Sequence, residues 1–208
     1  MSAQEETQTE AGRLERLWAD EFGDQYVERN RAAGEGREAF WRDLLERQPV
    51  DSVLEIGCNV GANLRWIDGR VPSRAVWGID INESALRGIR RDLPDVNAVW
   101  APARALPFRD GAFDLVFTAG VLIHQPESTL PLVMAEAVRC ARRYVLALEY
   151  FAPETTEVPY RGHDGALFKR DYGRLYRELF PELELLGTGE LGRDEGWDDV
   201  TWWMFRRP

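Results

Sequence analysis

Hydrophobic residues near the amino terminus recur at the spacing of an α-helix. Leu14, Leu17, Trp18 and Phe22 follow one another three or four residues apart, which puts them on one helical face. The segment Gly34-Glu-Gly36 interrupts this pattern, because glycine favours turns over helix interiors. The pattern predicts a cap of two helices over residues 13–47, preceded by a polar, flexible tail over residues 1–12.

From Ser52 onward, short apolar runs alternate with amphipathic segments. Near-continuous Val, Leu and Ile runs of this kind are typical of strands that are buried on both faces of a parallel sheet. Five of them precede a helix that begins after Asp171 and two further strands, Leu183–Leu186 and Val200–Phe205. The five runs are Val53–Ile56, Ala75–Ile79, Ala98–Trp100, Phe113–Phe117 and Tyr144–Leu148.

This alternation predicts an α/β fold with a Rossmann-like, doubly wound, mostly parallel seven-stranded sheet and an antiparallel edge strand. A helical stripe between the fourth and fifth runs has Ser128 or Thr129 available as its N-cap. We expect residues 13–208 to form a single domain, with residues 152–170 as an insertion at the substrate site. Long insertions at the carboxyl edge of such sheets commonly shape binding sites.

Charge and cysteine usage narrow the function classes. The chain has 208 residues and a formal net charge of −10, which argues against a nucleic-acid-binding protein. Its two cysteines, Cys58 and Cys140, are far apart, so neither a disulfide framework nor a metal site is predicted, and a reducing cytoplasm is expected. We predict no membrane span and no signal peptide. The sequence leaves the oligomeric state open.

The first predicted strand ends in the loop Glu55-Ile-Gly-Cys-Asn-Val-Gly61, which resembles a nucleoside-binding turn. Glycine removes side chains where a ligand approaches the backbone, and Asn59 tolerates a left-handed backbone. Asp80 ends the second strand, where a carboxylate can accept hydrogen bonds from both ribose hydroxyls. NAD requires a pyrophosphate turn that this loop lacks. Glu55 would repel a pyrophosphate but attract the amino group of S-adenosylmethionine (SAM).

These residues resemble the class I SAM-dependent methyltransferases over nearly the whole chain. Residues 55–61 are similar to the family's first motif, Asp80 to its ribose-binding acid, and Leu106–Val116 to its fourth-strand region. The similarity extends to methylases associated with pseudaminic acid biosynthesis, through residues 18–26, 120–124, 157–163 and 167–171.

The resemblance implies SAM as cofactor, with S-adenosylhomocysteine (SAH) as product, and a set of cofactor-binding residues. The family's acid after the third strand is missing, so we expect adenine to be held by backbone at Ala103 or Arg104. The predicted cofactor residues are Tyr26, Arg29, Glu55, Gly57, Cys58, Asn59, Gly61, Asn63, Asp80, Ile81, Asn82, Ala103, Arg104 and Gly120.

A second set of residues is predicted to contact the methyl acceptor. His124 follows the fourth strand and is predicted to be catalytic, either as a base or by positioning the acceptor; the alternative is that it caps the strand or orients a loop. Glu149 and Tyr150 end the fifth strand, and Glu149 either meets substrate or pairs within the fold. The insertion adds a basic and aromatic cluster that either binds an anion or is a solvated loop. Its members are Tyr160, Arg161, His163, Lys169 and Arg170.

We therefore predict a methyltransferase that modifies an O or N atom of a small polar metabolite such as an amino acid, sugar or natural-product intermediate. The motif of amino-methylating DNA enzymes is absent from Thr118–His124, and no magnesium-binding acid cluster can be assembled. Two alternatives remain open: a non-catalytic SAM-binding or scaffolding protein, and an NAD-dependent oxidoreductase.

Overall fold

The computed structural model describes residues 10–30 and 33–208. Seven strands form one sheet in the order β3-β2-β1-β4-β5-β9-β8. The strands are β1 (Val53–Ile56), β2 (Val76–Asp80), β3 (Asn97–Trp100), β4 (Phe113–Ala119), β5 (Ala141–Glu149), β8 (Glu184–Leu191) and β9 (Val200–Arg206). The first five are parallel, and β9 runs antiparallel to both β5 and β8 at that edge of the sheet. The predicted fold class is therefore confirmed.

Helices cover both faces of the sheet. They are α1 (Glu10–Ala19), α2 (Glu21–Arg29), α3 (Glu38–Arg47), α4 (Leu64–Ile67), α5 (Glu83–Asp92), α6 (Leu130–Cys140) and α7 (Tyr172–Leu179). Two apolar clusters fill the space between helices and sheet, one around Leu54, Val116 and Met134, the other around Trp41, Phe117 and Leu146. No helix in the described ranges has the length and apolar character needed to cross a bilayer.

Three details of the helices differ from the sequence prediction. Within its described residues, the amino-terminal cap has three helices rather than two, because the chain bends at Asp20 as well as at the glycine turn. Helix α1 begins at Glu10, so residues 10–12 of the predicted tail are helical, while residues 1–9 lie outside the described ranges. Thr129 precedes α6 without a side-chain cap bond, because its hydroxyl is directed backwards to Gln125 and Pro126. Asp171 does cap α7, accepting from the amide of Arg174 at 2.8 Å.

The insertion is partly ordered by its own pairing. Strands β6 (Thr156–Glu157) and β7 (Phe168–Lys169) form a two-stranded antiparallel ribbon, separate from the main sheet. Tyr160 and His163 close its tip. The ribbon brings residues 160–167 next to the end of β4, where the chain after the sheet makes a short 3₁₀ turn at Leu122–His124.

Candidate functional site

A pocket lies at the carboxyl ends of β1, β2 and β4, beneath α1 and α2. This edge is where parallel α/β sheets bind ligands. Twelve of the fourteen predicted cofactor residues line it: Tyr26, Glu55, Gly57, Cys58, Asn59, Asn63, Asp80, Ile81, Asn82, Ala103, Arg104 and Gly120. His124, Tyr150 and Tyr160 from the predicted acceptor set line it too.

The loop after β1 has the backbone that its sequence predicts. Gly57 has φ +70°, and a Cβ at this position would lie 2.5 Å from Cγ2 of Val121. Asn59 also has a positive φ, of 45°, as expected for the residue that stands at this point of the turn. Gly61 (φ +72°) is buried against Leu93 and Ile89 on the side away from the pocket, so it shapes the turn without lining the site.

Glu55 presents a buried carboxylate oxygen that lacks a partner. Its Oε1 accepts a hydrogen bond of 2.6 Å from the amide of Asn63, whereas Oε2 is buried with no hydrogen-bond partner. Burial raises the pKa of Glu55 to about 8, while the Asn63 hydrogen bond and the Arg37 charge act in the opposite direction. A ligand ammonium placed against Oε2 would supply the missing donor and favour the ionised carboxylate.

Asp80 is fixed by the two loops that flank it. Its Oδ2 accepts from the backbone N–H of Asn59 at 2.8 Å, and its Oδ1 accepts from that of Asn82 at 2.9 Å. Burial raises the pKa of Asp80, and these backbone donors oppose the rise. A carboxylate can accept about four hydrogen bonds, so Asp80 keeps acceptor capacity that suits a vicinal diol such as that of ribose.

The predicted adenine end of the pocket is lined by Ile81, Ala101, Ala103 and Arg104. The side chain of Arg104 forms an ion pair with Glu15 of α1, with Nε–Oε1 at 2.6 Å. The guanidinium is thus paired with the helical cap, and contact between an adenine and the backbone of residues 103–104 stays a prediction.

Arg37 is a pocket residue that the sequence analysis missed. Its Nη1 donates to Oδ1 of Asn63 at 3.0 Å, its Nε donates to the carbonyl of Gly196 at 2.9 Å, and the guanidinium stacks on Trp197 at 4.1 Å. Burial lowers its pKa, although the charge of Glu55 counteracts this. Nothing in the local sequence distinguishes Arg37, because its position depends on contacts with residues far along the chain.

His124 sits at the other end of the pocket among aromatic rings. Its Nδ1 lies 2.6 Å from the carbonyl of Ala166, a contact that assigns the proton to Nδ1 and leaves the Nε2 lone pair free. Burial lowers the pKa of His124 to about 4, so the ring is neutral at physiological pH. The Trp18 and Tyr160 rings lie 4.3 and 5.4 Å from it, centroid to centroid. Trp18, which lies in the stretch 18–26 that carries the resemblance, also lines the pocket, although it was not predicted as a site residue.

Glu149 and Arg170 belong to the fold rather than to the pocket wall, which corrects their predicted contact with substrate. Glu149 is 0% exposed and accepts backbone N–H bonds from Val121, Leu122 and Ile123. Arg170 is 4% exposed and donates to the carbonyl of Gln125 at 3.1 Å. The backbone of residues 121–125 supplies hydrogen bonds to both buried side chains.

The remaining predicted residues lie outside the pocket lining. Arg29 packs over the rings of Phe22 and Tyr26, with its guanidinium carbon 5.8 and 5.7 Å from their centroids. His163 packs edge-on against Phe22, Arg161 lies over Tyr160, and Lys169 lies over Tyr150. The structure therefore does not bring the basic cluster of the insertion into the pocket.

Comparison with known proteins matches residues 53–143 to the family described as a methyltransferase domain. Trans-aconitate 2-methyltransferase of Azoarcus sp. (strain BH72) is 33% identical over 109 residues, 48% of this chain and 37% of that protein. The 2-methyl-6-phytyl-1,4-hydroquinone methyltransferase of Synechocystis sp. (strain ATCC 27184 / PCC 6803 / Kazusa) is 31% identical over 134 residues, 59% of this chain and 42% of that protein. The matches thus span less than half the length of these curated relatives.

A solved structure shares the fold across the full length of the chain. The 1,6-didemethyltoxoflavin-N1-methyltransferase of Burkholderia thailandensis, solved with 1,6-didemethyltoxoflavin and SAH bound, has a TM-score of 0.69 at 14% identity. The alignment covers 100% of this chain and 91% of that one. Residues 53–143 thus match the methyltransferase-domain family, and the whole chain shares the Rossmann-like fold of this solved structure.

Proposed function

We propose that the whole chain is a SAM-dependent methyltransferase that transfers a methyl group to an O or N atom of a small polar metabolite. The observation that carries this proposal is the buried, unpartnered Oε2 of Glu55 in the same pocket as Asp80. A carboxylate at this position suits the amino group of SAM and opposes a pyrophosphate, which argues against NAD.

The part of the pocket lined by Arg37, Glu55, Asp80 and residues 103–104, here called the cofactor half, binds different groups of SAM with different residues. Glu55, oriented by Asn63, accepts from the ammonium, and Arg37 lies close enough to this pair to attract the carboxylate of the same amino-acid group. Asp80 accepts from the ribose hydroxyls, and the backbone at Ala103 and Arg104 contacts adenine. SAM, when bound, supplies the electrophilic methyl group on its sulfonium.

The acceptor half is aromatic and carries few charges. Trp18, Tyr150 and Tyr160 line it together with neutral His124. Of the arginines and lysines in the described ranges, the pocket is lined by Arg37 and Arg104 alone, both in the cofactor half. This lining supports a polar acceptor without a large negative charge. Methyl transfer is a displacement in which orientation supplies much of the acceleration, and the Nε2 of His124 can accept a hydrogen bond from the attacking O–H or N–H.

The relatives' names point to small molecules as acceptors, since they specify trans-aconitate and a hydroquinone. The proposal includes the closer similarity of this chain to the methylases associated with pseudaminic acid biosynthesis. A non-catalytic SAM-binding protein would share the cofactor half and differ in lacking turnover.

The direct test is a calorimetric titration with SAM, SAH and NADH. We expect micromolar binding of SAM and SAH and none of NADH. Asp80→Ala should weaken SAH binding by about 10- to 100-fold, because it removes a charged acceptor for the ribose hydroxyls. Asp95→Ala, at an exposed position before β3, is the matched control. Unchanged SAH affinity in a folded Asp80→Ala protein would refute the site.

The role of His124 is tested against the other histidine of the chain. We expect His124→Ala to reduce the turnover of labelled SAM with a metabolite extract by about 10²-fold or more, with SAH affinity altered little. His163→Ala, outside the pocket lining, should leave both quantities unchanged. An equal loss of turnover and SAH affinity in His124→Ala would assign His124 a purely structural role.

A further inference from the structure

The turn that carries His124 is held by two buried side chains, one acidic and one basic. It begins at Gly120, which has φ +68°, and continues through the 3₁₀ segment Leu122–His124 to Gln125. Its internal hydrogen bonds are short-range, from the amide of His124 to the carbonyl of Val121 and from that of Gln125 to Leu122. A 3₁₀ turn of this length is weakly stable by itself, so its orientation depends on outside contacts.

Glu149 supplies the contacts to the amides. Its Oε1 accepts from the N–H of Val121 at 3.2 Å and of Leu122 at 3.1 Å, and its Oε2 accepts from that of Ile123 at 3.3 Å. The carboxylate is fully buried at the last residue of β5. Burial raises the pKa of Glu149 to about 7, and the hydrogen-bond donors around it partly offset this.

Arg170 supplies the contact to the other end of the turn. Its Nη1 donates to the carbonyl of Gln125 at 3.1 Å, and its guanidinium stacks on Phe168 at 4.3 Å. Its own backbone N–H is bonded to the carbonyl of Tyr150, the residue after Glu149. The two side chains are therefore joined through the backbone of Tyr150 and Arg170. Glu149 binds the amides before His124, and Arg170 binds the carbonyl after it.

We propose that Glu149 and Arg170 form a clasp that positions His124 for the methyl acceptor. They act through the turn and not by touching substrate, so they are positioning residues. The expected effect on turnover rests on the proposed function. The expected effect on the position of the His124 ring does not. The rate of a reaction falls steeply when a reacting group is displaced. A loosened turn should therefore lower turnover far more than it lowers cofactor affinity.

The chain has two histidines, so the His124 ring can be followed by ¹⁵N NMR and assigned with His163→Ala. In the wild-type protein we expect an Nδ1–H signal shifted downfield and protected from exchange by its hydrogen bond to Ala166. Glu149→Ala and Arg170→Met should broaden or remove this signal and reduce turnover by about 10- to 100-fold, with SAH affinity within about twofold. Glu149→Gln, which keeps a carbonyl acceptor, should restore part of the signal.

Asp114→Asn is the matched control, since Asp114 is also a buried carboxylate that accepts a backbone N–H, from Asp51, but lies at the opposite end of β4. It should leave the His124 signal unchanged. If Glu149→Ala does not fold, Glu149→Gln and Arg170→Met decide the question. An unaltered His124 signal in these folded variants would overturn the clasp. Failure of the wild-type protein to bind SAH would instead overturn the proposed function, with the NMR result still standing.

Discussion

The raised pKa of the buried Glu55 predicts that ligand binding at this pocket is coupled to the release of a proton. Glu55 has a pKa of about 8 because it is buried, so it is mostly protonated at pH 7 before a ligand arrives. An ammonium placed at its Oε2 requires the ionised form. We therefore expect SAM binding at pH 7 to release up to about one proton, measured by calorimetry in buffers of different ionisation enthalpy.

Glu55→Gln supplies the comparison at the same residue. The amide preserves size and a hydrogen-bond acceptor but has no proton to release. The variant should bind SAM about 10- to 100-fold more weakly and lose the buffer dependence of the binding enthalpy. A wild-type enthalpy that is equal in all buffers would show that Glu55 is already ionised in the free protein, or that it does not meet the ammonium.

Among the elements, α1 is held over the pocket by side chains that bridge distant segments. Glu15 pairs with Arg104, and Arg13 donates to the carbonyl of Asp164 at 3.0 Å. Both residues of the Glu15–Arg104 pair are about a third exposed, so its energy is small. We expect Glu15→Gln to raise the dissociation constant of SAH about two- to fivefold and to speed hydrogen exchange in α1.

The pair between Glu38 of α3 and Arg70 is the control, because it also anchors an amino-terminal helix but lies away from the pocket. Glu38→Gln should leave SAH binding unchanged. Equal effects of the two substitutions on SAH affinity would mean that α1 does not close the pocket through Glu15.

The strands and the glycine-containing turn after β1 could be predicted because their signals are local. A buried run such as Val53–Ile56 and the turn Gly57–Gly61 specify their own backbone, and the turn positions Asp80 through hydrogen bonds to its neighbours. The direction in which a loop side chain points is not local. The cations of the insertion follow the pairing of β6 with β7. Arg37 is linked to Glu55 through Asn63, and its guanidinium is held in place by packing on Trp197. From residue type alone, the cations of the insertion were predicted to bind an anion in the pocket. The tertiary contacts place none of them there.

At the scale of the whole molecule, the buried acids make stability depend on pH in an unusual direction. Glu55 and Glu149, with pKa values of about 8 and 7, bind protons more tightly in the folded chain than in the unfolded one. Their contribution to stability is complete below the unfolded pKa near 4.5 and is lost as the pH rises through 7 and 8. His124, with its pKa lowered to about 4, acts oppositely, but only between about pH 4 and 6.5.

Between pH 6.5 and 8 the two glutamates therefore act without opposition from His124. We expect the free energy of unfolding of the ligand-free protein, measured with urea, to fall by about 1–3 kcal/mol across this window. Glu55→Gln should reduce the fall, since one of the two protons is no longer involved. Saturating SAM should reduce it as well, because the bound ammonium favours ionised Glu55 in the folded state. A free energy of unfolding that is constant or rises from pH 6.5 to 8 would contradict the burial of these two carboxylates as the source of their raised pKa values.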